Sequence, residues 1–193
     1  MKRKGGSMAQ VKGVAILGQV KFIKKNHQDV LPRVVDALPP ESAKYMQEHI
    51  LVTAWYPYQL YTDLLRSLDK IIGTGDLSTC IEQGRLSAQH DLASMFKMFL
   101  NFSSVQSMLS RVMVAWSSYY DTGLIEINQL TDAEATYLIK DFPDIDYAHI
   151  KNVQGWVEQF FLTALRLKEV RSEIVKCQCD GAPLTELHFS FNA

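Results

Sequence analysis

The chain has 193 residues, 47% of them hydrophobic, with 20 Lys and Arg against 21 Asp and Glu and a formal net charge of -1. So much apolar surface supports a full core without disulfide or metal staples, and the balanced charge excludes a broad basic face for nucleic acid. No apolar run approaches the roughly 20 residues that span a bilayer, and the start lacks the apolar stretch of a signal peptide, so a cytoplasmic protein with no transmembrane segment is expected.

Residues 1–10 (MKRKGGSMAQ) are basic, then glycine-rich, and read as a flexible tail ahead of one domain spanning 11–193. From Val11 to Leu38, Ile16, Val20 and Ile23 fall at helical steps, with Val30, Val34 and Leu38 following a polar interruption. Two helices or one broken helix fit. Pro39 and Pro40 then mark a boundary, and Glu41 and Ser42 favour a new helix start.

In WYPYQLYTDLLRSLDKIIG, Pro57 begins a helix whose stripe is Leu60, Leu64, Leu68 and Ile71, and Gly73 stops it. Leu77 to Leu100 is expected to be helical, as is the segment with Val105, Met108, Leu109, Val112 and Trp116, which ends at Gly123. Asp63, Arg66 and Asp69, at steps of three, predict surface ion pairs.

After Gly123 the period changes. Ile125 and Ile127 alternate with Glu126 and Asn128, and EATYLIKDF follows as the second arm of a hairpin. A long helix from Tyr147 to Leu167 carries Ile150, Val153, Val157, Phe160 and Ala164 toward the sheet. EVRSEIVKC and LTELHFSF form a second hairpin around Asp180 to Pro183. The expected fold class is α+β: an N-terminal helix bundle followed by a four-stranded antiparallel sheet, its two hairpins separated by a long helix.

In the last strand Leu187, Phe189 and Phe191 face the core while His188 points away. Cys177 and Cys179, on one face with Val175, are expected as buried reduced thiols, because three cysteines in a cytoplasmic chain do not make a disulfide framework. A zinc site would need His188 to converge with them, so no metal is expected.

Several words in this order carry a resemblance: VKGVAIL, AWYPYQLYTDLLRSLDKIIGTGD, GRLSAQHDL, WSSYYDTGLIEI, DFPDID, GWVEQFFLTA and the cysteine-to-glycine ending. Together they resemble the superfamily of heme-nitric oxide (H-NOX) sensors, 4-vinyl reductase-type ligand domains and TRAPP small subunits. The nearest likeness is to a group of small bacterial proteins of unknown function, abundant in myxobacteria. That group's ending resembles Cys-x-x-x-Gly-x-x-x-Cys; here Cys177 and Gly181 match and Thr185 stands in the last place.

The resemblance implies an axial histidine near RVMVAWSSYYD for an H-NOX heme, where this chain has Trp116, and a Tyr-x-Ser-x-Arg signature that is absent. Heme is therefore disfavoured and no cofactor is expected. From the TRAPP side, Cys80 sits near the place of an acylated cysteine, against the alternative of an ordinary half-buried residue. Trp55, Tyr58, Trp116, Tyr119 and Trp156 are the aromatic candidates to line an apolar pocket with Cys80, or else belong to the core.

Catalysis finds no motif: Gly-x-Ser-x-Gly, a phosphate loop and His-Glu-x-x-His are all absent, and Glu82, Asp91, Asp121 and Asp141 stand singly. The leading expectation is a non-enzymatic docking or regulatory module acting through a protein partner or as a homodimer. The alternative is a sensor or carrier that holds a hydrophobic small molecule or acyl chain in an internal pocket.

Overall fold

The computed structural model describes residues 8–93, 113 and 116–192. The expected helix positions at 94–112 lie outside the described residues. Among the described residues the principal elements are, in chain order, β1 (Gln10–Lys12), α1 (Gly13–Asn26), α2 (Leu31–Asp36), α3 (Pro40–Met46), β2 (Trp55–Pro57), α4 (Tyr58–Ile72), α5 (Ser78–Ala93), β3 (Leu124–Leu130), β4 (Glu134–Lys140), α6 (Tyr147–Ala164), β5 (Glu169–Lys176) and β6 (Thr185–Asn192).

The α+β class and both hairpins stand as expected. Strand order is β3-β4-β6-β5, every pair antiparallel, so the two hairpins join through β4 and β6. Leu187, Phe189 and Phe191 are buried, and α6 lies on their face. Phe161 of α6 meets Tyr137, Phe189 and Phe191 with ring centroids 5.1–5.9 Å apart, edge-on or tilted as aromatic quadrupoles favour.

Two short strands were not expected. β1 pairs antiparallel with β2, Val11 opposite Tyr56, and Val11 also bridges Tyr120. Three-residue strands carry no period, so alternation cannot reveal them. Their consequence is positional: β1 ties the segment ending at Tyr120 to the start of α1, helped by Gln10 N–H donating to Asp121 Oδ1 at 2.8 Å.

In α1 the buried stripe is Ile16, Gln19 and Ile23 rather than Ile16, Val20 and Ile23.

The Asp63, Arg66, Asp69 series corrects an expectation. These residues do not pair with one another. Asp63 accepts from Ser42 Oγ at 2.5 Å and from Gln59 Nε2 at 2.8 Å. Asp69, 1% exposed, accepts from the Leu77 and Thr79 N–H groups and so receives the orphan donors at the start of α5. Arg66 reaches Asp146, whose carboxylate also accepts from Ala148 N–H at 2.7 Å and caps α6. Three charges on one helix thus set the positions of α3, α5 and α6 around it.

The closing hairpin also differs. β5 ends at Lys176, and Gln178–Asp180 form a 3-10 turn closed by Gly181 in the left-handed region. The turn breaks the alternation: Cys177 points inward, Cys179 is exposed, and the two are joined as a disulfide rather than packed as thiols. Cys177, Cys179 and Asp180 bring their potential ligand atoms within 4.8 Å, but the disulfide leaves neither sulfur as a thiolate to bind a metal.

Candidate functional site

α5 and α6 run against each other closely enough that only glycine fits at their crossing. A Cβ on Gly84 would meet the Asn152 carbonyl at 2.0 Å, and one on Gly155 would meet the Ile81 carbonyl at 1.9 Å. The crossing turns one face of α6, carrying His149, Asn152 and Trp156 at steps of three and four, toward α1, α4 and α5.

Between these helices lies a cavity of about 110 Å³. Its helical walls come from Ala15 and Gln19 of α1, Tyr61 of α4, Ser87 and Asp91 of α5, and four residues of α6 including Asn152 and Trp156. Trp116, Tyr119 and Tyr120 close it, with Ile125 at the sheet edge. Among these lining residues there is no Lys, Arg or His.

The polar groups here form a directed chain. The Tyr120 and Tyr61 hydroxyls are hydrogen-bonded to each other. Tyr61 donates to Asn152 Oδ1 at 3.0 Å, and Asn152 Nδ2 donates to the Cys80 carbonyl at 3.2 Å. Gln19 Nε2 makes a long approach to the Tyr61 oxygen at 3.5 Å, and Gln19 Oε1 has no partner among the described residues. Burial holds the phenols of Tyr61, Tyr119 and Tyr120 above their ordinary range, so they remain neutral donors. At the rim, Asp91 accepts from Trp156 Nε1 at 3.1 Å, and burial raises its carboxyl above the usual value.

Behind Trp116 sits His149, fully buried and ringed by Tyr58, Tyr61, Trp116, Tyr120 and Phe142. Burial pushes its pKa down to about 3, keeping the imidazole neutral. Its Nδ1 is 2.7 Å from the Tyr58 hydroxyl, which itself accepts from Asp146 N–H at 3.1 Å, and its Nε2 has no partner among the described residues.

Of the expected site residues, Trp116, Tyr119 and Trp156 come together on the cavity wall. Tyr58 stands one layer back, against His149. Trp55 is 38% exposed on β2 beneath Lys12 Nζ, 4.0 Å from the ring centroid, and lines no part of the cavity. Cys80 is fully buried rather than half-buried, its thiol is pushed up to about 12 by burial, and it too is absent from the wall. Gln19, Asn152 and His149 were missed; the signal available was that each interrupts an apolar stripe at helical spacing.

No protein-family model and no curated protein matches the sequence. Solved structures do match in fold. The Fe(II) unliganded H-NOX protein from K. algicida aligns with a TM-score of 0.68 at 12% identity, over 94% of this chain and 97% of that one. The H-NOX protein from S. oneidensis in the Fe(II)NO ligation state gives 0.68 at 10% identity, over 94% and 99%. An oxygen-binding H-NOX domain related to soluble guanylate cyclases gives 0.62 at 11% identity, over 94% and 95%.

These matches correct two expectations. The docking-module reading gives way to the ligand-holding alternative, because the fold neighbours are H-NOX proteins described as unliganded, in an Fe(II)NO ligation state and as oxygen-binding. The grounds for setting heme aside also fail, since 94% of this chain aligns with H-NOX proteins despite Trp116 standing where a histidine was looked for. What the comparison establishes is the fold, and in fold this chain is an α+β protein of the H-NOX kind.

Proposed function

We propose that this chain senses or carries a small hydrophobic molecule, held in the cavity between α1, α4, α5 and α6. The observation that carries the reading is an aromatic-walled cavity inside an H-NOX fold. Pockets of this composition are the usual sites for small-molecule ligands. The reading takes the domain to be non-enzymatic and cytoplasmic, as expected from the sequence.

Heme is the ligand that the fold neighbours bring forward. On donor chemistry the described residues fit: His149 is buried and neutral, its Nδ1 meets the Tyr58 hydroxyl, and its Nε2 is unpartnered, as an iron-binding imidazole requires. Bound heme would supply an iron centre for a diatomic gas. On volume they do not fit, because about 110 Å³ is well below the roughly 300 Å³ at which pockets for larger ligands begin, and a macrocycle would require Trp116 and its neighbours to part.

Native mass spectrometry, before and after denaturation and with or without one equivalent of hemin, tests the reading. The expected result is a noncovalent added mass that denaturation removes. Hemin binding with a Soret band that shifts in His149→Leu would assign the iron to that residue. Bare polypeptide in every condition, joined by failure of small aromatic probes to bind, would sink the reading.

A further inference from the structure

The Cys177–Cys179 bridge is uneven. Cys177 is fully buried while Cys179 is exposed, so an attacking thiolate reaches the bond at Cys179 Sγ. Attack there breaks the Sγ–Sγ bond and sends the electron pair to Cys177 Sγ, so the surroundings of the buried sulfur decide whether the bond yields. Two donors face it, the Cys179 N–H at 3.2 Å and the Thr185 hydroxyl at 3.8 Å. The Thr185 oxygen accepts from Gln178 N–H at 3.0 Å, which leaves its own proton for the sulfur. A neutral disulfide sulfur gains little from such donors, and a thiolate gains much more. Burial opposes a charge at Cys177, and the paired donors offset that cost. Asp180 lies within 4.8 Å of both sulfurs and opposes a thiolate at either, so the two donors are what distinguish Cys177 as the leaving group.

We infer that this turn is a thiol–disulfide exchange site for dithiol reductants, with Cys179 as the sulfur attacked and Cys177 as the leaving and resolving thiolate. The inference does not rest on the ligand-holding reading. In the reductive direction one thiolate of the dithiol bonds to Cys179 Sγ as the Cys177–Cys179 bond breaks. The dithiol's second thiolate then attacks its own sulfur in that mixed disulfide, closes a cyclic disulfide and frees Cys179 as a thiolate. The dithiol loses two electrons and two protons, and the two cysteines gain them. In the reverse direction a disulfide taken up at Cys179 is resolved by Cys177, which re-forms the bridge.

The full chain, reduced with dithiothreitol, freed of it and given the neutral aromatic disulfide dithiodipyridine, tests this without any variant. Exchange through the pair should release two thiopyridones per chain and leave no adduct mass, because Cys177 displaces the adduct from Cys179. Cys80 is buried and un-ionised and should contribute nothing. Any adduct retained on the unaltered chain, or no release at all, overturns the inference. In Cys177→Ser one adduct should stay on Cys179, whereas in Cys179→Ser the ring-bearing reagent should react more slowly by about tenfold or more. Equal rates in the two variants overturn the assignment of Cys179 as the sulfur attacked. Thr185 is a positioning residue, acting through Cys177. Thr185→Val should slow reduction of the folded bridge by dithiothreitol by about tenfold, and Thr185→Ser, which keeps the hydroxyl, should restore the rate. A turn merely loosened by the substitution would be reduced faster, so an unchanged or faster rate in Thr185→Val overturns the role given to that hydroxyl.

Discussion

The imidazole of His149 lies nearly parallel to the indole of Trp116, 20° between planes and 5.7 Å between centroids. An imidazole so enclosed has no water to solvate a positive charge, which is why burial alone lowers its pKa to about 3. In the unfolded chain the same group titrates near its ordinary value of about 6.5. Between these two values the unfolded state binds the extra proton, so stability rises with pH there. The contribution is complete above about pH 6.5 and is lost as pH falls toward 3.

Acidification from pH 7 to pH 5 is therefore expected to cost about 2 kcal/mol through this residue. His149→Phe keeps an aromatic ring beside Trp116 but cannot titrate. Urea unfolding at several pH values should show a shallower acid loss in His149→Phe than in the unaltered chain. Equal slopes in the two proteins would mean that the ring is hydrated in solution.

Much of the fold was legible because its elements are long enough to show a period. Leu187, Phe189 and Phe191 alternate cleanly, and α6 is apolar on the face that meets them. The cavity was harder to read because its polar members look like interruptions. Gln19 sits within an apolar stripe, and the preference for apolar residues at such positions favours Val20. Asp69 reads as a surface charge until tertiary packing brings the start of α5 to it. The Cys177 turn was misread because alternation was carried past Lys176, where the strand has already ended.

Helix packing offers a second test. Gly84 and Gly155 meet backbone across the α5–α6 crossing, where no rotamer change can relieve a clash. Gly84→Ala and Gly155→Ala should each destabilise by about 1–3 kcal/mol or more. Each should also weaken ligand binding, since the crossing sets the distance between Asp91 and Trp156. Gly18 in α1 has nothing within 4 Å of its would-be Cβ, so Gly18→Ala should stabilise by about 0.5–1 kcal/mol. Denaturant midpoints for the three variants measure the contrast, and a neutral Gly155→Ala would show that the helices separate at little cost.

Thiol chemistry gives the last test, and it separates the three cysteines by environment. Cys80 is fully buried with a thiol pushed up to about 12, so at neutral pH it is both inaccessible and un-ionised. Cys177 and Cys179 are joined to each other. Alkylation followed by mass measurement should therefore add no label to the folded chain, one label after denaturation without reductant, and three after denaturation with reductant. Because the bridge spans two positions, closing so small a loop restrains the unfolded chain by only about 1.5 kcal/mol, and reduction should leave the protein folded. Rapid labelling of folded protein at a single site that maps to Cys80 would contradict its burial and reopen that thiol as a point of attachment. Two fast labels at Cys177 and Cys179 would instead place the hairpin in its reduced form, with both sulfurs again available beside Asp180.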